Sequence, residues 1–263
     1  MQKTLLLTGA TDGIGLETAK KLALQGHHIL MHGRNEAKLN AAVEEVAALN
    51  RNAKIESYVA DLSVLSEVSQ LATQVSEMHG KLDVIINNAG VFATPNALTK
   101  DGLDVRFAVN TIAPYILTRQ LLPLLNSNGR VVNLSSAAQA PVDVQAMVGR
   151  PVLSDNGAYA QSKLAITMWT QALAAEYPNG PVFVAVNPAS FLASKMVKEA
   201  YGVAGNDLNI GADILVRAAL SDEFANASGL YFDNDIGQFA KPHSDAQNTT
   251  KVAAVMSALD QYL

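Results

Sequence analysis

Residues 4–24 read Thr-Leu-Leu-Leu-Thr-Gly-Ala-Thr-Asp-Gly-Ile-Gly-Leu-Glu-Thr-Ala-Lys-Lys-Leu-Ala-Leu, and this stretch decides the fold. The run Leu5-Leu6-Leu7 shows no polar alternation, as expected of a strand covered on both faces. Residues 15–24 then take up a helical period. Between them lie Gly9, Gly13 and Gly15. Glycines in a strand-to-helix turn let the backbone approach a ligand, and the helix N-terminus favours a pyrophosphate. The spacing is Gly-x-x-x-Gly-x-Gly rather than Gly-x-Gly-x-x-Gly, so its weight comes from lying between a strand and a helix. Gly9, Thr11, Asp12, Gly13, Ile14 and Gly15 are the residues expected at this phosphate end.

The same alternation runs outward through the chain. Strands are predicted at residues 4–8, 28–32, 55–60, 84–87, 131–134, 182–187 and 230–232. Amphipathic stretches separate them, most clearly at 15–24, 36–49, 65–78 and 159–175. Such strands alternating with helices imply βαβ crossovers and a parallel sheet covered on both faces. No glycine- or proline-rich linker divides the 263 residues. The expectation is one α/β domain over 1–263, a doubly wound parallel sheet of Rossmann type with three α/β/α layers.

Composition narrows the function classes. Apolar residues form 49% and charged residues 16%, which excludes a disordered or low-complexity chain. A net charge of −5 offers no general attraction to nucleic acid or anionic lipid. The absence of cysteine removes disulfides, thiol nucleophiles and thiolate metal sites. His27, His28, His32, His79 and His243 show no ligand spacing, so no metal is expected. The three leucines near the start are too few for a signal peptide or a membrane span, which makes a cytoplasmic location the default expectation.

Two further features bear on chemistry. The second strand ends in His32-Gly33-Arg34-Asn35, where dinucleotide folds carry an acid for a ribose 2′-hydroxyl or an arginine for a 2′-phosphate. Arg34, with a guanidinium suited to paired bonds to phosphate, points to NADP, with NAD as the alternative. Tyr159 and Lys163 stand one turn apart on a predicted helix. A tyrosine titrates near about 10, and a neighbouring ammonium favours its phenolate, so Tyr159 suits proton exchange with a carbonyl or alcohol oxygen. Residues 137–157, rich in proline and glycine, break the rhythm after a strand and suit a substrate-side lid or an inert insertion equally.

These residues resemble the short-chain dehydrogenase/reductase family almost from end to end. The likeness rests on Thr8 to Gly15, on Asp61 in Val59-Ala60-Asp61-Leu62, and on Asn87-Asn88-Ala89-Gly90. It rests also on Asn110, on Asn133-Leu134-Ser135-Ser136, and on Tyr159 with Lys163. The resemblance implies that Ser136 rather than Ser135 hydrogen-bonds the substrate oxygen, with Tyr159 as general acid or base. It implies that Lys163 lowers the Tyr159 pKa and holds the nicotinamide ribose, and that Asn110 positions a relay water. Arg34, Asn35, Asp61, Leu62, Asn88, Ala89 and Gly90 would contact the cofactor, with Asp61 at the adenine. Within the family the long gap between Ser136 and Tyr159, the Ser162-Lys163-Leu164-Ala165 run and the late Ser228-Gly229-Leu230-Tyr231-Phe232 resemble the retinol-dehydrogenase-like branch, without a membrane anchor.

The chain departs from the family after the sixth strand. Family members carry Pro-Gly followed by threonine, whereas this chain reads Asn187-Pro188-Ala189-Ser190 and takes its hydroxyl from Ser190 or Ser194. Residues 188–206 are expected to cover cofactor and substrate, with Pro188, Ala189 and Ser190 in contact. Asp12 stands where NADP-preferring relatives often have a basic residue. Trp169 suits packing or an oligomer contact, and the last helix, through Val252, Val255, Met256, Leu259 and Leu263, suits covering the sheet or the late strand, or forming a dimer; a homo-oligomer is thus one expectation. Met147, Val148, Val152 and Leu153 suit a pocket lining or a loop anchor. The functional expectation is an NADP-dependent oxidoreductase for a small-molecule carbonyl or alcohol. The alternatives are a regulatory or scaffold protein that binds NADP without turnover, and a lyase or epimerase that uses bound cofactor.

Overall fold

A computed structural model describes residues 1–193 and 205–263. The chain alternates strand and helix as its periodicity requires: β1 (Thr4–Leu7), α1 (Gly13–Leu24), β2 (His28–Gly33), α2 (Glu36–Ala47), β3 (Lys54–Val59), α3 (Leu65–Met78) and β4 (Leu82–Asn87). A π-helical turn (Ala108–Ile112) runs into α4 (Ala113–Leu121), followed by β5 (Leu125–Leu134), α5 (Val144–Met147) and α6 (Asp155–Glu176). Then come β6 (Val182–Asn187), α7 (Leu208–Leu220), β7 (Tyr231–Asp233), β8 (Gln238–Ala240) and α8 (Thr249–Leu259).

The strands make one sheet in the order β3-β2-β1-β4-β5-β6-β7-β8. All pair in parallel except β8, an antiparallel edge strand against β7 that the sequence periodicity did not announce. Chain order reverses between β1 and β4, which opens a crevice beyond their carboxyl ends, the usual place for a ligand in such sheets. Successive side chains of β1 serve opposite layers. Leu6 packs with α3, α4 and α6, while Leu5 and Leu7 pack with α1, α2 and α7.

The packing bears on several of these readings. Trp169 is fully buried and meets the Tyr115 ring edge-on at 5.7 Å, which makes it a packing residue. Val255 and Leu259 of α8 join the core beside α6, so this helix covers the sheet's flank. In the 137–157 stretch, Met147 is buried and Leu153 packs on the core, whereas Val148 and Val152 are exposed. Among the described residues no helix is long and apolar enough to cross a membrane.

Candidate active site

A cleft of about 800 Å³ opens at the carboxyl ends of the strands. Every residue expected to hold the cofactor lines it, from Gly9 in the first turn to Ser190 after β6. The first turn is tight because two glycines occupy space that no side chain could share. A Cβ on Gly15 would stand 2.0 Å from the Gly9 carbonyl oxygen and 2.5 Å from Asn88 Nδ2. A Cβ on Gly9, at φ 67°, would stand 2.8 Å from Ala89 Cα. Asn88 seals the contact by donating from Nδ2 to the Thr8 and Gly9 carbonyls at 2.9 and 3.0 Å. The Thr8 hydroxyl in turn accepts from the backbone N–H groups of Asn88 and Ala89, both at 3.1 Å.

His32 completes this wall and was missed by sequence reasoning. Its Nε2 donates to the Ala60 carbonyl at 3.0 Å, which leaves Nδ1 to accept from the Gly9 N–H at 3.3 Å. Burial, opposed only in part by the Ala60 bond, lowers its pKa to about 4, so the ring is neutral near pH 7. Its place on the same strand face as His28 was a visible signal, but nothing local pointed to Gly9. At the far end Arg34 is exposed on the cleft, and Lys38, one turn further along α2, lines it too. Asn35 caps α2 by accepting from the Lys38 N–H at 3.0 Å. Lys38 was also missed, although a second cation one turn after Arg34 is a readable pattern.

Helix α6 begins at Asp155, four residues before the expected start at Tyr159, because Ser154 caps it by accepting from the Gly157 N–H. The buried Arg106 pins this end through Asp155 at 2.6 Å and Asp104 at 2.7 Å. Tyr159 therefore sits in the second turn with Lys163 one turn below. Lys163 is buried, and its Nζ donates to the Leu134 carbonyl at 2.6 Å and lies 5.6 Å from the Tyr159 ring centre. Burial brings its pKa down to about 7. Phe92 meets the Tyr159 ring edge-on at 5.0 Å.

The two serines separate cleanly. Ser135 is buried, with its hydroxyl engaged by Thr167 Oγ1 and the Lys163 carbonyl. Ser136 lines the cleft and accepts from the Ala138 N–H at 3.1 Å, so its own O–H can point to a ligand. Asn110 lies behind the cleft wall rather than on it. Its Oδ1 accepts from the Val91 N–H at 2.8 Å, and its Nδ2 donates to the Val91 carbonyl and to Ser162 Oγ. Beneath the site, Asn87 donates to Asn133, which donates to Thr170, tying β4, β5 and α6 together.

The segment after β6 forms the opposite wall. Ala189 stands at φ 110° and Phe191 at φ 53°, conformations that favour glycine. The β7–β8 turn clamps them. Asp235 accepts from the Ser190 N–H at 2.7 Å and the Ser190 hydroxyl at 2.6 Å, and Asn234 donates to the Pro188 carbonyl at 3.0 Å. Asn187 Nδ2 joins Asp233 and Asp235 at 2.8 and 2.9 Å. Burial opposes ionisation of Asp235, but the bonds from Ser190 and Asn187 hold its carboxyl below the usual range. No local signal linked these residues. Ser194 and the rest of 194–204, part of the expected 188–206 cover, lie outside the described residues.

The cradle fits a dinucleotide. Glycines admit a backbone-close ligand at a helix N-terminus, cations stand at one end, and a tyrosine–lysine pair stands at the other. Comparison with known proteins agrees with that geometry. Residues 3–202 match the family model described as short chain dehydrogenase. Polyprenol dehydrogenase of Homo sapiens is 32% identical over 254 residues, covering 89% of this chain and 77% of the relative. Retinol dehydrogenase 13 of Homo sapiens is 30% identical, covering 88% and 76%. A short chain dehydrogenase from Shigella flexneri 2A str. 301, complexed with NADP, superposes with a TM-score of 0.70 at 27% identity, covering 88% and 96%.

Proposed function

The chain belongs to the short chain dehydrogenase family and is an NAD(P)-dependent oxidoreductase of CH–OH and C=O groups, and on that premise we propose that it is an NADP(H)-dependent alcohol dehydrogenase or carbonyl reductase with Tyr159 as its general acid and base. The observation that carries this reading is the buried Lys163 beneath the Tyr159 ring, at the floor of a glycine-walled cleft. Residues 9–15 would hold the pyrophosphate, Arg34 and Lys38 a 2′-phosphate, and Lys163 the nicotinamide ribose. When bound, the nicotinamide supplies or accepts the hydride.

The protein's own part is proton transfer and positioning. Ser136 donates to the substrate oxygen and sets it beside Tyr159. In reduction, Tyr159 delivers its phenolic proton to that oxygen; in oxidation, it removes the proton. The charged form of Lys163 favours the phenolate, and the proton returns from water through the region of Asn110. Asp12 accepts from the Gly13 N–H at 2.7 Å, and the NADP reading rests on Arg34 and Lys38.

The substrate proposed is apolar. Phe92, Phe191 and Leu192 line the cleft, and two of the relatives are named for polyprenol and retinol. A panel of aldehydes, ketones and quinones, followed by NADPH absorbance, identifies a working substrate. With it, Tyr159→Phe is expected to lose about 10³-fold in kcat, within the range of positioned acid–base catalysis, while NADPH affinity changes less than about twofold. Retained turnover would sink the assignment of Tyr159. Product formed without net change in NADPH would favour a lyase or epimerase.

A further inference from the structure

The amino end of the sheet carries a second convergence of polar side chains. His28 opens β2 four residues before His32, so a rise of about 3.3 Å per residue sets it roughly 13 Å from the cleft wall. There His28 Nε2 lies 3.0 Å from Glu56 Oε1, and His79 Nε2 lies 3.1 Å from Glu56 Oε2. One ligand atom from each of the three residues lies within 4.8 Å of the other two. The imidazoles meet edge-on with centres 5.4 Å apart. The histidine side chains are only 11% and 10% exposed and Glu56 24%, so the group is held yet reachable. Its members come from β2, β3 and the residue closing α3, separated by 28 and 23 positions that hide any ligand spacing.

We propose that His28, Glu56 and His79 form a three-ligand site for a borderline divalent transition cation, with zinc as the reference case. Two imidazoles and a carboxylate are a donor set zinc accepts, with bonds of about 2.0–2.2 Å. Tetrahedral arms of that length put ligand atoms roughly 3.4 Å apart. Each imidazole Nε2 already lies 3.0–3.1 Å from a carboxylate oxygen, though from different ones, and the three ligand atoms, all within 4.8 Å of one another, draw in by at most about 1.4 Å. A neutral imidazole that offers Nε2 to a cation carries its proton on Nδ1. His28 Nδ1 faces Thr4 Oγ1 at 3.4 Å, an outer partner that suits this tautomer. The Tyr58 hydroxyl donates to Glu56 Oε2 at 3.1 Å and orients the carboxylate from the protein side. Its oxygen also lies 2.8 Å from His79 Nε2 and gives up that bond when the cation binds. Water completes the fourth position.

Lys54 is the internal competitor, because its Nζ lies 2.6 Å from Glu56 Oε1. Its side chain is 63% exposed and turns into solvent when a cation takes the carboxylate. The site would tie two strands to a helix without touching the cleft, so cation binding raises thermal stability and leaves turnover unchanged.

Equilibrium dialysis of the full chain against zinc sulfate alone, with metal counted per chain, tests the proposal. One zinc per wild-type chain is expected. His79→Ala should weaken it about 100-fold, the upper end of what even outer-shell changes cost. Lys54→Ala should tighten it about fivefold, the scale of one unscreened charge at 4 Å in water. Glu56→Gln provides a second ligand loss should His79→Ala fail to fold. A wild-type chain that binds no zinc, or zinc retained equally in the folded ligand variants, overturns the assignment.

Discussion

On one side of the cleft, residues 9–15 turn between adjacent elements and are fastened by His32 on β2 and by Thr8 and Asn88, which directly follow β1 and β4. On the other, Pro188, Ala189 and Ser190 are held by Asn234 and Asp235, some 45 residues later in the chain. The first wall obtains its positive φ from glycines at no steric cost, whereas the second carries Ala189 at φ 110°. Two solutions to the same task follow. The first is set by residue type, and its tolerance to substitution is small. The second is set by bonds from a distant turn, so it should yield gradually when those bonds are removed.

The first wall should break hardest. Gly15→Ala puts a methyl against the Gly9 carbonyl and Asn88, and neither can retreat without opening the sheet crevice. A loss of about 100-fold in NADPH affinity is expected, equivalent to roughly 3 kcal/mol of overpacking. Isothermal titration measures it, and unchanged affinity would mean that the turn does not contact the cofactor. Arg34→Ala comes next. Charge-assisted bonds contribute about 1.5–3 kcal/mol, and exposure puts this one at the lower end, so NADPH should bind about tenfold more weakly while NADH changes less than about twofold. Equal losses for both cofactors would remove the 2′-phosphate assignment.

The second wall offers a sharper contrast. Asp235→Ala removes both bonds to Ser190 and should raise the KM for NADPH about fivefold, with thermal stability reduced by less than about 1 kcal/mol. Ala189→Gly should restore much of that loss, because glycine adopts φ 110° without a clamp. In the wild-type background the same change should have little effect on KM. Additive effects of the two substitutions would show that the clamp and the strained alanine are independent.

The same contrast explains what the sequence disclosed. Glycine spacing, Arg34 and the Tyr159–Lys163 turn are local patterns, and each of these residues lines the cleft. The apolar strand runs likewise carried the parallel sheet. What stayed hidden depends on contacts between distant positions. Asp235 is one exposed acid among many until β7 and β8 pair, and β8 itself is a short strand with little hydrophobic signature. The family resemblance singles out Ser136 over Ser135, but the physical difference between them exists only once the helix α6 covers Ser135. Asn110 is recognisable as a residue, yet its commitment to Val91 is a fact of the fold.

Acid should distinguish the two walls by the smallest effect. Burial lowers the His32 pKa to about 4 in the folded chain, against about 6.5 when unfolded. Between those values the unfolded chain holds a proton that the folded chain lacks, so stability falls as pH drops from 6.5 towards 4. The protonated ring donates from both nitrogens and can no longer accept the Gly9 N–H, so the first wall loosens. The second wall does not share this weakness, because Asp235 is held below its usual range and stays charged through the same window. His32→Asn should therefore lie below wild type at pH 7 but lose less stability between pH 6.5 and 5, whereas its advantage in NADPH affinity, at most about twofold, emerges only near pH 4, where about half of the folded rings are protonated. Melting curves and titrations across this range make the comparison. Parallel losses in wild type and variant would mean that His32 is not what holds the turn, leaving Asn88 and Thr8 as its fastening.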